Sequence, residues 1–205
     1  MPPRTQAFPE SKAARAAMPS LGRHPAASTL RRAQRLQKMA VAQRILGIDP
    51  GLHRTGYGVI EMLGNQPKLV EGGVLRAKAD DPFPLRLQSL YDGLVEVLRE
   101  HEPEAVVIEE LFSTYAHPRS ALLMAHARGV LMLAAQQAGV PVHGFTPNEV
   151  KQVITGNGHA GKSTVQQAVR ARLKLNFVPN PPDVADALAI ALCFAMRQDT
   201  FQKTA

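Results

Sequence analysis

The chain has 205 residues, enough for one domain with a substantial core, and its 45% hydrophobic share is that of a soluble globular protein. No run approaches the roughly 18 uninterrupted apolar residues of a membrane-spanning helix, and a single cysteine, Cys193, excludes a disulfide within the chain and reads as a small core residue on an apolar helix. The formal charge of +7 invites a nucleic-acid reading, yet eight of the 24 Lys and Arg and one of the 17 acids lie in residues 1–38, leaving the rest balanced at 16 against 16.

That basic segment opens the chain. Residues 1–40 are rich in Ala, Pro, Ser and Arg without apolar periodicity, and read as a disordered basic extension. Their Arg-rich, acid-poor character also resembles an organellar transit peptide, and Met39 would serve as a start just before the first strand. The extension is therefore expected to be dispensable or to lie upstream of the true initiator. The globular body is expected over residues 41–198, with a short tail at 199–205.

Ile45, Leu46 and Ile48 form a short apolar run that delivers Asp49 into Pro50-Gly51, where the missing ladder N–H and the freedom of glycine end the strand. A second strand follows at Thr55–Ile60, whose glycines let it pass close to the first or let another backbone approach from outside. Lys68–Leu75 reads as a third strand with a glycine irregularity, and the short links suggest an antiparallel meander. Residues 84–100 carry Leu85, Leu87, Leu90, Leu94, Val97 and Leu98 at near-helical spacing. Ala105–Ile108 is continuously apolar, as in strands buried on both faces. Pro118 opens a helix to Ala138 that is apolar on more than one face, consistent with burial against the sheet or with a homodimer contact. Residues 141–145 form a last short strand, and two further helices follow. Strands followed by βα alternation indicate an α/β domain with a mixed sheet.

Several carboxylates sit where backbone would hold them still. Asp49 ends the first strand, Glu109-Glu110 ends the run through Ile108, and Asp183 and Asp186 begin the final helix after Pro181-Pro182. Parallel neighbours would bring Asp49 and Glu109 to one sheet edge, and the i, i+3 spacing puts Asp183 and Asp186 on one helix face. Taken alone, Asp183 also fits a helix cap satisfied by the helix dipole. As a set, converging carboxylates repel one another unless cations hold them, and an all-oxygen set favours Mg²⁺ or Mn²⁺. Two such ions about 4 Å apart activate water and stabilise the leaving oxygen of a phosphodiester.

Residues 156–163, Gly-Asn-Gly-His-Ala-Gly-Lys-Ser, match the P-loop pattern and taken literally predict an ATPase. The polar stretch Asn148–Gln152 before it is not the buried strand such a loop follows. The same residues read as a glycine loop presenting Lys162, with Lys151 before it, to a phosphate backbone. Phe112, just beyond Glu110, is either a core plug or an aromatic that stacks on an unpaired base. Tyr115, His117 and Arg119 extend that rim, and His159 is a further candidate phosphate contact.

Together these stretches resemble the RuvC family of Holliday junction resolvases in the ribonuclease H-like superfamily. The resemblance is carried by Ile45–Gly51 with Thr55–Ile60, Val107–Phe112, Ala127-Arg128-Gly129, Lys151–Val153 with Lys162-Ser163, and Asp183–Ile190, over about residues 44–196. It implies a ribonuclease H-like fold, a mixed five-stranded sheet flanked by helices. It also implies a cytoplasmic, homodimeric, Mg²⁺-dependent endonuclease, with Mn²⁺ as an alternative and two ions per site, that nicks two strands of a four-way DNA junction symmetrically to leave 5′-phosphate and 3′-hydroxyl ends. By position, Asp49, Glu109, Asp183 and Asp186 are the metal-binding catalytic acids, Phe112 the base-stacking aromatic, and Lys151 and Lys162 DNA contacts. Some family members carry His in place of the first acid of the final helix, so positioning water is an alternative role for Asp183. The family further implies partnership with the RuvA–RuvB branch-migration complex; it offers no counterpart for the basic extension. The competing readings are a ribonuclease H-like nuclease acting on structured RNA or another branched substrate, and a junction-binding protein without catalysis.

Overall fold

The computed structural model describes residues 43–111 and 118–203; the extension at 1–40 lies outside them. Strands β1 (Gln43–Asp49), β2 (Arg54–Leu63) and β3 (Gln66–Arg76) form an antiparallel meander. Helix α1 (Phe83–His101) then crosses to β4 (Ala105–Glu109), and α2 (Pro118–Gln137) leads to β5 (Val142–Phe145). The sheet order is β3-β2-β1-β4-β5, with β4 parallel to both β1 and β5. The mixed five-stranded sheet expected from the sequence is therefore present.

Three helices close the chain rather than two: α3 (Pro147–Thr155), α4 (Lys162–Arg172) and α5 (Pro182–Lys203). The polar surface of Asn148–Gln152 hides a helix that starts unambiguously. Thr146 accepts a hydrogen bond from Glu149 N while the Glu149 carboxylate accepts one from Thr146 N, and Pro147 occupies the first turn. The last helix also runs past residue 198 to Lys203, into the segment expected to be a tail. Among the described residues, no helix is long and apolar enough to cross a membrane.

Alternate residues of the central strands enter two cores. Ile45, Ile60 and Val107 pack with α3, α4 and α5, whereas Leu46, Ile48, Val59, Val106 and Ile108 pack with α1 and α2. Covering both faces explains why β1 and β4 read as continuously apolar. Cys193 is fully buried in the α5 core, and burial pushes its thiol up to about 11. It is inert packing, as its context suggested.

Helix α5 lies unusually close to the sheet. A Cβ on Gly47 would stand 2.1 Å from the carbonyl oxygen of Ala187, and one on Gly58 would stand 2.6 Å from Leu188 Cδ2. Of the two possibilities for the β2 glycines, the approach of another backbone is realised at Gly56, where a Cβ would stand 2.1 Å from the carbonyl oxygen of Asp183 in α5, while Gly58 meets the Leu188 side chain of the same helix. Gly47→Ala is expected to cost about 3 kcal/mol or more, because the clash is with backbone that cannot rotate away. Gly129→Ala, where a Cβ meets nothing within 4 Å on an exposed helical turn, should instead gain about 0.5–1 kcal/mol. Urea unfolding midpoints of the two variants check both signs.

Candidate active site

Two parallel strands deliver the first acids. Ile48 pairs with Ile108, so the residues that follow, Asp49 and Glu109, leave adjacent strand ends side by side. The loop after Asp49 is held by Thr55, fully buried, whose hydroxyl donates to Gly51 O at 2.9 Å and accepts from Gly51 N at 3.2 Å. At the end of β4, Arg128 of α2 donates from Nε to the carbonyl of Glu109 at 3.0 Å. Glu110 goes elsewhere: its carboxylate lies over Gly144 of β5, where a Cβ would come within 2.7 Å of Oε1.

The second pair of acids comes from the first turn of α5. Gly56, paired with Asp49 across the sheet, lets the carbonyl of Asp183 come within 2.1 Å of where its Cβ would be. This contact sets the start of α5 directly beside Asp49. Asp183 is not a free cap: its Oδ2 accepts an ion pair from Arg54 Nη2 at 2.8 Å.

Electrostatics confirm that these groups form one cluster. Burial, then the negative charges of Glu109, Asp186 and Asp183, push Asp49 up to about 8 against the opposing pull of Lys162. Burial and Asp186 push Glu109 up to about 7, with Lys151 and Lys162 opposing. Asp186 is also raised, first by burial and further by Asp183, while the same two lysines oppose it. The structure thus brings Lys151 of α3 and Lys162, the first residue of α4, into the field of the four acids.

An oxygen-only donor set on rigid elements, carrying more negative charge than its two lysines neutralise, suits a hard divalent cation such as Mg²⁺ or Mn²⁺. Asp49, Glu109, Asp183 and Asp186 fit that role. The P-loop resemblance does not extend to structure. The segment before the glycine loop is α3, whose last carbonyls accept hydrogen bonds from Arg172, and Gly156 ends it with φ of 79°. A nucleotide-binding loop follows a strand, so residues 156–163 are the link between two helices.

Arg119 is exposed in the first turn of α2, and His159 is exposed in the glycine loop. Phe112, Tyr115 and His117 lie outside the described residues. Arg54, Thr55 and Arg128 were not singled out as site residues in the sequence reading. Thr55 and Arg128 sit inside motifs that carried the resemblance, whereas nothing local pairs Arg54 with Asp183.

The raised acids carry a sign for stability. An unfolded aspartate releases its proton near pH 3.9, whereas folded Asp49 holds its proton to about pH 8. The folded state binds more protons in that window, so the Asp49 contribution to metal-free stability is fully present below about pH 4 and is lost as pH rises toward 8. Asp49→Asn removes this loss. In EDTA it is expected to match wild type near pH 4 and to exceed it in Tm by a few degrees near pH 8, at roughly 2–4 °C per kcal/mol. Thermal unfolding of both proteins across that range checks the crossover.

Sequence and structure comparisons identify the family of the chain. A family model described as crossover junction endodeoxyribonuclease RuvC matches residues 45–194. A crossover junction endodeoxyribonuclease RuvC from Rhodopirellula baltica is 52% identical over 152 residues, covering 74% of this chain and 85% of its own length. The Thermus thermophilus RuvC structure superposes with a TM-score of 0.72 at 37% identity, covering 77% of this chain and 96% of that one. T. thermophilus RuvC in complex with a Holliday junction substrate gives 0.70 at 35% identity, with the same coverage. Matched by the family model over residues 45–194 and by a relative at 52% identity, the chain belongs to the RuvC family of crossover junction endodeoxyribonucleases.

Proposed function

We propose that Asp49, Glu109, Asp183 and Asp186 are the catalytic acids of a Holliday junction resolvase acting in homologous recombination and DNA repair, and that Lys151 and Lys162 hold the DNA backbone beside them. One observation carries the assignment: four acids from β1, β4 and α5 meet where two lysines from separate helices also arrive.

The cofactor is Mg²⁺, with Mn²⁺ as a substitute and two ions per site; when bound it supplies an activated water and stabilises the leaving oxygen of an in-line displacement at phosphorus. The chain's own contribution is placement. β1 and β4 fix two carboxylates by their register, α5 fixes two by its seat on glycine, and Arg128 holds the end of β4 through the Glu109 carbonyl. Lys162 and Lys151 oppose the negative charge of the acids, which otherwise repels an incoming phosphate.

The substrate is a four-way DNA junction, nicked on two strands by a homodimer to leave 5′-phosphate and 3′-hydroxyl ends. Pairing through α2 is supported by Leu122 and Leu133, which stand 64% and 51% exposed on a helix whose other face, Ala127, Leu131, Ala134 and Ala135, is buried. Phe112 stacks on an unpaired base near the cut, Arg119 contacts the backbone at the rim, and the RuvA–RuvB branch-migration complex delivers the junction in the cytoplasm.

With Mg²⁺, the protein is expected to nick synthetic four-way junctions symmetrically, and Asp49→Asn or Asp186→Asn to slow this roughly a thousandfold while junction binding persists. Equal cleavage by Asp49→Asn and wild type would sink the assignment. Lys162→Ala should weaken binding and lower the slope of log K against log salt by about 1, through one lost phosphate contact. An unchanged slope removes Lys162 from the interface.

A further inference from the structure

On the opposite face of the sheet from the catalytic acids, β3 and the end of α1 bring together a second ligand set. Among the described residues, Glu71, Glu100 and His101 place one ligand atom each within 4.8 Å of one another. An acidic cluster at a surface means little by itself; the imidazole sets this one apart. The His101 side chain is only 8% exposed and its Nε2 is buried without a hydrogen-bond partner, although Glu71 Oε2 stands 3.1 Å away. The pair is thus an ion-pair contact without an aligned hydrogen bond, and a cation between the buried nitrogen and the carboxylates would complete both.

The fold turns Glu71 to this place by a specific device. The β2–β3 register shifts between Val59 and Ile60: Val59 pairs with Glu71 and Ile60 with Leu69, so Val70 is the extra residue of a bulge. Leu69 packs toward the α5 core. In a regular strand Glu71, two residues on, would share that face. The bulge sends it instead toward α1, where it meets His101 and Tyr57. Tyr57 then anchors it, donating from its hydroxyl to Glu71 Oε1 at 2.5 Å. Gly73 makes this possible, since a Cβ there would stand 2.6 Å from the Tyr57 oxygen. Burial, and then the bond to Glu71, raise the phenol, so it remains a donor to Oε1 and leaves Oε2 facing His101 as the ligand atom.

The geometry points to a second divalent-metal site formed by His101 Nε2, Glu71 and Glu100, suited to Zn²⁺ and clamping the C-terminal end of α1 to edge strand β3. One imidazole and two carboxylates match zinc rather than the all-oxygen preference of Mg²⁺, and a fourth position is left to water. A tetrahedral site with bonds of about 2.0 Å spaces its donors about 3.3 Å apart, which the exposed Glu100 reaches by side-chain rotation.

The test uses the full chain, stripped with EDTA and returned to saturating Mg²⁺ so that the catalytic acids are occupied, and titrated with Co²⁺ and then Zn²⁺. One equivalent per chain should produce the intense d–d bands of four-coordinate Co²⁺, and Zn²⁺ should bleach them. Zn²⁺ at about 100-fold over its Kd should raise Tm by roughly 5–10 °C. Glu71→Gln and Glu100→Gln should each weaken this binding at least about tenfold, and Tyr57→Phe about tenfold, whereas Asp49→Asn should leave the bands and the titration unchanged. Glu100 is exposed, so its variant stays folded and the outcome is clean. Wild type without bands, or bands that disappear in Asp49→Asn yet persist in Glu100→Gln, overturns the site.

Discussion

The contact on which the rest depends is the seating of α5 on bare backbone. Asp183, Ala187 and Ala191 form one stripe of the helix at four-residue intervals, and beneath it the sheet presents Gly56 and Gly47. Neither place admits a Cβ. The stripe begins with Asp183 and continues with alanines, so one close packing both builds the core and brings Asp183 and Asp186 to the tip of β1. A helix lifted by ordinary side chains would sit a few ångströms farther out, and the acids of α5 would no longer share a site with Asp49.

The same arrangement sets the electrostatic problem that the site must solve. Buried strand ends are good places to hold a carboxylate still and poor places to keep it charged. Asp49, the most crowded of the four, is pushed furthest where a value is defined, to about 8, and Glu109 follows at about 7. Lys151 and Lys162, carried on α3 and α4, moderate this without cancelling it. Arg54, paired with Asp183, offsets charge at the solvent edge. Rigidity and unbalanced charge are thus two results of one placement.

How much of this was legible in the sequence follows from the range over which each residue acts. Asp49 and Glu109 announce themselves locally, as carboxylates ending apolar runs, and parallel pairing follows from the βα alternation. Asp183 and Asp186 are legible as a helical pair after Pro181-Pro182. The role of Gly47, Gly56 and Gly58 was only half visible, because a glycine says that something comes close but not what. Helix α3 was less legible although Thr146-Pro147-Asn148-Glu149 is a complete capping signal, because its polar outer surface masks the buried Val150 and Ile154. Arg54 with Asp183, and the bulge that turns Glu71 toward His101, depend on partners distant in the chain, and no local pattern encodes them.

The raised protonation of Asp49 and Glu109 has a further consequence for the nuclease. Near neutral pH Asp49, and in part Glu109, hold protons, so in the proposed metal-binding role loading the site would be a proton-for-metal exchange. Apparent metal affinity would then rise with pH over the range in which those protons leave, and mild acidification would weaken it. Two buried carboxylates thereby couple cleavage of the phosphodiester to the acidity of the medium before DNA arrives.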